Sequence, residues 1–221
     1  MGRKKSFRIE QNKIQENVIQ EGKPLFTTIK NQWGTVFFKN NNPIVLELGC
    51  GKGEYTVGLA KLFPEKNFIG IDIKGDRIAV GSEKATESGL NNVAFLRTKI
   101  HELESFFDEN EIAEIWITFP DPQVLQSGER RRLTNPRFLE IYKKILKQDG
   151  CLHLKTDSSS FFDYTLKTLN NFGVRELTYT TDLYSSSLNV RHYGIKTRFE
   201  EIFTAKGFSI NYLYCLFKLN S

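Results

Sequence analysis

The chain has 221 residues, of which 39% are hydrophobic, 26% charged and 13% aromatic. That length buries roughly 70% of the unfolded surface in one core, and that composition excludes a disordered tail, a collagen-like rod and a coiled coil. The net charge is +5, and all of it lies in residues 1–40, which hold eight Lys/Arg against three Glu, whereas the remaining charges balance. A basic segment on a balanced body suits a polyanionic partner.

Residues 1–15 read as a basic, flexible arm, with no apolar stretch of the secretory type. From residue 43 onward, short apolar runs alternate with helical stretches. Ile44-Val45-Leu46-Glu47-Leu48 is a strand that runs into glycines, and a helix over 55–62 stops near Pro64. Residues 67–72 form the second strand, followed by a helix over 76–88 that Gly89 ends. The third strand covers 93–96 and the fourth 112–119. Asn135-Pro136 supplies an N-cap and a first helical residue, and Phe138, Leu139, Tyr142, Ile145 and Leu146 share one face of the helix that follows. Gly150 is expected to end that helix before a fifth strand at 151–155. A helix over 161–169, a strand over 174–181, a short helix over 199–205 and a last strand over 210–217 complete the chain. Repeated strand–helix units imply an α/β, Rossmann-like, doubly wound and mostly parallel sheet, with helices on both faces and a C-terminal antiparallel strand pair. Residues 16–221 are read as a single domain. No run of about 18 apolar residues spans a membrane. Cys50, Cys151 and Cys215 are odd in number and scattered, which fits free thiols and a cytoplasmic location. His101, His153 and His192 show no metal-ligand spacing with them, so no metal is expected.

The strongest local signal is Glu47-Leu48-Gly49-Cys50-Gly51-Lys52-Gly53-Glu54, a glycine turn between a strand and a helix. Glycines let a ligand approach the backbone, and a helix N-terminus favours anionic groups. The spacing is neither a dinucleotide fingerprint nor a phosphate-cradling loop. Asp72 ends the next strand, where an acid accepts hydrogen bonds from ribose hydroxyls in nucleoside-binding sheets. Phe119-Pro120-Asp121-Pro122 closes the fourth strand with a carboxylate stiffened by two prolines. Arg130, Arg131 and Arg132 follow as candidate phosphate contacts. Asp157 ends the fifth strand, and Thr197-Arg198-Phe199-Glu200 lies late in the chain.

In this order these motifs closely resemble bacterial tRNA (guanine-N7-)-methyltransferases, class I S-adenosylmethionine-dependent enzymes, over about residues 16–218. The Phe-Pro-Asp-Pro and Thr-Arg-Phe-Glu elements are the diagnostic ones, because very many methyltransferases share the glycine loop. The resemblance implies methyl transfer from S-adenosylmethionine to N7 of a tRNA guanine, guanosine 46 of the variable loop. It implies cofactor contacts from Glu47, Gly49, Gly51, Gly53, Asp72, Thr98, Lys99 and Asp121. Asp121 also matches the family's catalytic acid. Asp157, Thr197, Arg198, Phe199 and Glu200 match substrate positions, with tRNA as partner to a monomer or homodimer. Two departures stand out. Arg97-Thr98-Lys99 lacks the acid or Asn common at the adenine-contacting stretch, and Gln123, Val124, Leu125 and Gly128 replace the usual Trp-Pro-Lys and His. Two alternatives remain at this point: a methyltransferase for a small molecule or protein, and a catalytically silent RNA-binding subunit of the same fold.

Overall fold

A computed structural model of the protein describes residues 2–217. Eight strands form one sheet in the order β1-β4-β3-β2-β5-β6-β8-β7. They are β1 (Val18–Ile19), β2 (Ile44–Leu48), β3 (Asn67–Asp72), β4 (Val93–Arg97), β5 (Ile112–Thr118), β6 (Leu146–Thr156), β7 (Arg175–Thr180) and β8 (Asn211–Leu216). All neighbours are parallel except β8, which runs antiparallel to both β6 and β7. The helices are α1 (Gly2–Ile14), α2 (Glu54–Leu62), α3 (Gly75–Glu87), α4 (Pro136–Ile145), α5 (Ser159–Phe172) and α6 (Arg198–Ala205).

The near-continuous apolar strands follow from burial on both faces. On one face Val45, Phe68, Phe95 and Trp116 pack with Tyr55 and Val57 of α2 and Ile78 and Ala85 of α3. On the other, Leu46, Ile69, Ile115 and Leu152 pack with Phe138, Leu139 and Tyr142 of α4 and Phe161 and Phe162 of α5. Asn135 caps α4 as expected, its side chain accepting from Arg137 N. Among the described residues no helix is long and apolar enough to cross a membrane, and the three cysteines are free.

Two expectations change. Residues 2–14 form α1 in place of an unstructured arm. They hold no proline and no glycine after Gly2, are rich in Lys, Arg, Gln and Glu, and dock on α3 through Asn12, whose Nδ2 donates to Gly75 O at 2.8 Å. Lys4, Lys5 and Arg8 stay exposed on α1. Met1 and residues 218–221, which the expected arm and domain bounds include, lie outside the described residues. Gly150, expected to stop a helix, lies inside β6 instead: α4 ends at Ile145 and the chain turns straight into the strand. At Gly150 a Cβ would sit 2.8 Å from Lys147 O, so glycine is needed for that close approach. The register with β5 is irregular there, between Ile112↔Leu146 and Glu114↔Cys151. Missed altogether were the edge strand β1 and a π-helical segment, Trp33–Phe38, that drops Trp33 into the core.

Candidate active site

The carboxyl ends of β2, β3, β5 and β6 lie side by side, where open α/β sheets hold their ligands. The turn after β2 is built on glycine: Gly49, Gly51 and Gly53 have φ of +75°, +56° and +66°. At Gly53 a Cβ would meet the Phe95 ring at 2.6 Å, whereas nothing lies within 4 Å of a Cβ on Gly49 or Gly51. Gly53 thus lets the helix pack on the sheet, while Gly49 and Gly51 leave bare backbone facing open space. Gly49 N and Cys50 N donate to Ile71 O at 2.8 and 3.0 Å. Asp72 completes the clamp, with Oδ2 accepting from Gly51 N at 2.9 Å and Oδ1 from Lys74 N at 2.8 Å.

Beneath the turn Glu47 is buried. Its Oε2 accepts from Thr56 N at 2.8 Å and from the Thr56 hydroxyl, and its Oε1 accepts from Thr118 Oγ1 at 2.7 Å. Burial pushes the Glu47 carboxyl up to about 7 against those hydrogen bonds. One acid thus ties together β2, the start of α2 and the end of β5.

A cavity of about 350 Å³ opens above it. Glu47, Gly49, Gly51, Thr118 and Phe119 line one side; Thr197, Arg198, Phe199 and Ile202 line the other. Phe119 has φ +48°, a left-handed backbone that is costly for an aromatic residue, and its N–H donates to Lys155 O at 2.8 Å. Two residues on, Asp121 is exposed, and its Oδ1 accepts from Gln123 N at 3.0 Å. The facing wall is the first turn of α6. Thr197 and Glu200 form a reciprocal capping box there. Arg198 N donates to Glu54 Oε2 at 3.2 Å, which joins the starts of α6 and α2 across the cavity. Phe199 is 44% exposed, stacks on Phe203 at 4.2 Å and meets Phe119 at 5.4 Å, so an aromatic surface edges the opening.

The family model described as "putative methyltransferase" matches residues 41–213. The chain is 45% identical over 215 residues to the tRNA (guanine-N(7)-)-methyltransferase of Cytophaga hutchinsonii, covering 96% of this chain and 97% of that protein. It is 48% identical over 219 residues to the enzyme of the same name from Christiangramia forsetii, covering 96% and 98%. The chain belongs to the tRNA (guanine-N(7)-)-methyltransferase family. Among solved structures, the 16S rRNA methyltransferase KamB aligns over 83% of this chain and 91% of its own with a TM-score of 0.62 at 15% identity, a likeness of fold.

Within this family framework the expected site residues separate into groups. Glu47, Gly49, Gly51, Thr197, Arg198 and Phe199 are brought together around one cavity, with Gly53 and Asp72 shaping its turn. Thr98, Lys99 and Asp121, expected at the cofactor, are not among the residues lining it, Asp121 standing two residues beyond Phe119 of its wall. Thr98 Oγ1 donates to Glu102 Oε2 at 2.7 Å and Lys99 Nζ lies 3.5 Å from Glu102 Oε1, so both side chains are committed to one carboxylate. Asp157 is half-buried just beyond β6.

Glu200, expected to touch substrate, is fully buried under the cavity wall. It accepts from Lys155 Nζ at 2.6 Å, Tyr184 OH at 2.6 Å and Thr197 N at 3.3 Å. A carboxylate that anchors a buried lysine and its own helix start is a support for Phe199, not a surface contact. Burial lowers the pKa of Lys155, and burial together with Glu200 raises that of Tyr184. The arginine run also divides. Arg130 is exposed; Arg131 Nε donates to Gln123 Oε1 at 2.9 Å; Arg132 donates to Gln123 O at 3.2 and 3.3 Å and lies 4.3 Å over the Tyr164 ring. Gln123, which departs from the family pattern, is therefore the hub that folds the loop after Asp121. Sequence reasoning missed the roles of Thr56, Thr118, Lys155, Tyr184 and Gln123, which rest on side-chain contacts that only the fold creates.

Proposed function

We infer that this protein transfers a methyl group from S-adenosylmethionine to N7 of a guanine in tRNA, with guanosine 46 of the variable loop as the target that the family resemblance implies. The observation that carries the reading is near full-length identity to tRNA (guanine-N(7)-)-methyltransferases, with the glycine turn, Phe119 and Thr197 to Phe199 gathered around one cavity.

The cavity suits the cofactor. Gly49 and Gly51 present backbone that no side chain obstructs, and the start of α2 offers a positive dipole end to a carboxylate. Asp72 stands at the tip of β3 to accept from ribose hydroxyls. When bound, S-adenosylmethionine supplies a sulfonium methyl group open to attack by an unprotonated nitrogen. A structural neighbour of 11% identity, a 16S rRNA (adenine(1408)-N(1))-methyltransferase variant, is described with this cosubstrate, and its TM-score of 0.59 supports the same placement of the fold.

Guanine N7 carries an exposed lone pair and no proton, so the protein has no proton to remove before transfer. Its task is alignment and charge stabilisation. Asp121 accepts hydrogen bonds from the donor edge of guanine; its Oδ1 already holds the loop through Gln123 N. Extruding a stacked base costs a few kcal/mol. Phe199 offers a stacking face for the extruded base, backed by Phe203, and Arg130 and the basic side of α1 take phosphates. A cytoplasmic enzyme meets its tRNA and keeps its thiols reduced. The test is incubation with labelled cofactor and unmodified bulk tRNA, followed by nucleoside digestion. Label in 7-methylguanosine supports the reading; label in another nucleoside, or none, refutes it.

A further inference from the structure

On the α2 side of the sheet, away from the methyl-transfer cavity, β5 and β6 place three potential metal ligands together. Cys151 and His153 are two residues apart on β6 and therefore share a face, and Glu114 of β5 is the register partner of Cys151. Glu114 lies four residues before Thr118, roughly 13 Å back along the strand from the cavity. We propose that Glu114, Cys151 and His153 form a binding site for a zinc-class divalent cation, with water as the fourth ligand.

The distances suit it. The candidate ligand atoms all lie within 4.8 Å of one another. His153 Nε2 is 3.2 Å from Glu114 Oε1 and 3.4 Å from Cys151 Sγ. Tetrahedral zinc, with bonds near 2.0 Å to N and O and 2.3 Å to S, needs ligand–ligand edges of about 3.3–3.6 Å. The supports are also in place. The imidazole lies flat on Trp116, with centroids 3.9 Å apart and planes at 4°, and its Nδ1 is 2.8 Å from Tyr212 OH. Trp116 Nε1 donates to Glu114 Oε1 at 2.6 Å. His153 and Glu114 are thus each held by a second set of groups, as metal sites require. A thiolate and a carboxylate together cancel a dication. One sulfur, one nitrogen and one oxygen favour zinc over magnesium or calcium, which take oxygen. Cys151 is partly exposed, which gives solvent a route to the fourth position. Lys66 Nζ sits 3.2 Å from Glu114 Oε2, on the carboxylate oxygen that the cation does not need, with a side chain 29% exposed and able to swing out.

The protons balance. Without a cation, a proton on Nε2 bridges His153 to Glu114, and Cys151 is a thiol beside the ring. On binding, the imidazole stays neutral: its proton moves from Nε2 to Nδ1, and Tyr212 OH turns from donor to acceptor. Sulfur bonds to the cation and releases one proton to solvent.

The experiment is titration of chelator-treated, full-length protein with Co²⁺ and then Zn²⁺. The expected result is one cobalt per chain with a thiolate-to-cobalt charge-transfer band, loss of that band on adding zinc, and release of about one proton per cation. Cys151→Ser should abolish the band. Tyr212→Phe, which removes a supporting contact, should weaken binding about 10-fold. Lys66→Ala, which leaves the ligands untouched, should tighten it. Absence of the band in the wild-type protein overturns the site, whatever the variants do. A band that survives in Cys151→Ser overturns it too, because the thiolate would then be Cys50 or Cys215.

Discussion

At the scale of single residues, the site depends on carboxylates with different tasks. Asp121 is exposed and fixed by one backbone bond, which suits a group that acts on bound base. Asp121→Ala should lower the single-turnover rate by about 100-fold or more while tRNA affinity stays within a few-fold. A rate near wild type at saturating tRNA would remove it from the chemistry. Glu47 is the opposite case, buried and raised from 4.5 to about 7. The unfolded chain holds fewer protons on Glu47 than the folded one between those values. Its contribution to stability is therefore full below pH 4.5, falls as pH rises, and is gone above about 7. Glu47→Gln should flatten that part of the stability profile in urea melts at several pH values; an unchanged difference from wild type across the window would contradict the assignment. Lys155 and Glu200 form a buried pair whose members support each other. Lys155→Met should cost about 3–5 kcal/mol by stranding Glu200, and adding Glu200→Leu should recover part of it. Equal losses in the single and double variants would argue against that coupling.

At the scale of elements, the strand–turn–helix units that carry the glycine turn were legible, because apolar runs, Gly49–Gly53 and Asn135-Pro136 are local signals. So were the residues at strand ends, since Asp72 and Asp121 follow apolar strands in the chain itself. What could not be read was long-range. Glu47 lines the cavity, but its hydrogen bonds to Thr56 and Thr118, which tie β2 to α2 and β5, appear only in the fold. Glu200 reads as a substrate position from its motif, and its burial against Lys155 and Tyr184 appears only once α6 is folded over them. Cys151 and His153 do not match the spacing of metal ligands on turns, yet a strand brings residues two apart onto one face. α1 reads as tail because its sequence is basic and polar, and its partner, α3, lies far along the chain. α1 also makes an element-level prediction. Deleting residues 2–8, which include Lys4, Lys5 and Arg8, should flatten the dependence of log tRNA affinity on log salt by about 0.7–0.9 for each phosphate those side chains neutralise, with cofactor affinity unchanged. A slope equal to wild type would make those residues ordinary solvated surface.

At the scale of the whole molecule, a mostly parallel sheet carries the glycine turn, Asp72, Phe119 and Asp121 on adjacent strand ends, and the connection from β7 to the antiparallel β8 carries α6 to the same side, where Arg198 N meets Glu54 of α2. Basic groups on α1 and in the arginine run lie on the outside of the same body. In the proposed function the cavity aligns and the basic surface holds polyanion, so the nucleophile is N7 of guanine, which attacks the methyl group directly with no base required. The most direct measurement replaces the variable-loop guanosine of a tRNA transcript with 7-deazaguanosine, which retains the Watson–Crick edge and lacks the N7 lone pair. Binding close to that of the unmodified transcript and methyl incorporation reduced to background are expected. Incorporation at the unmodified rate would contradict attack by N7, because the methyl group would then be going to another atom.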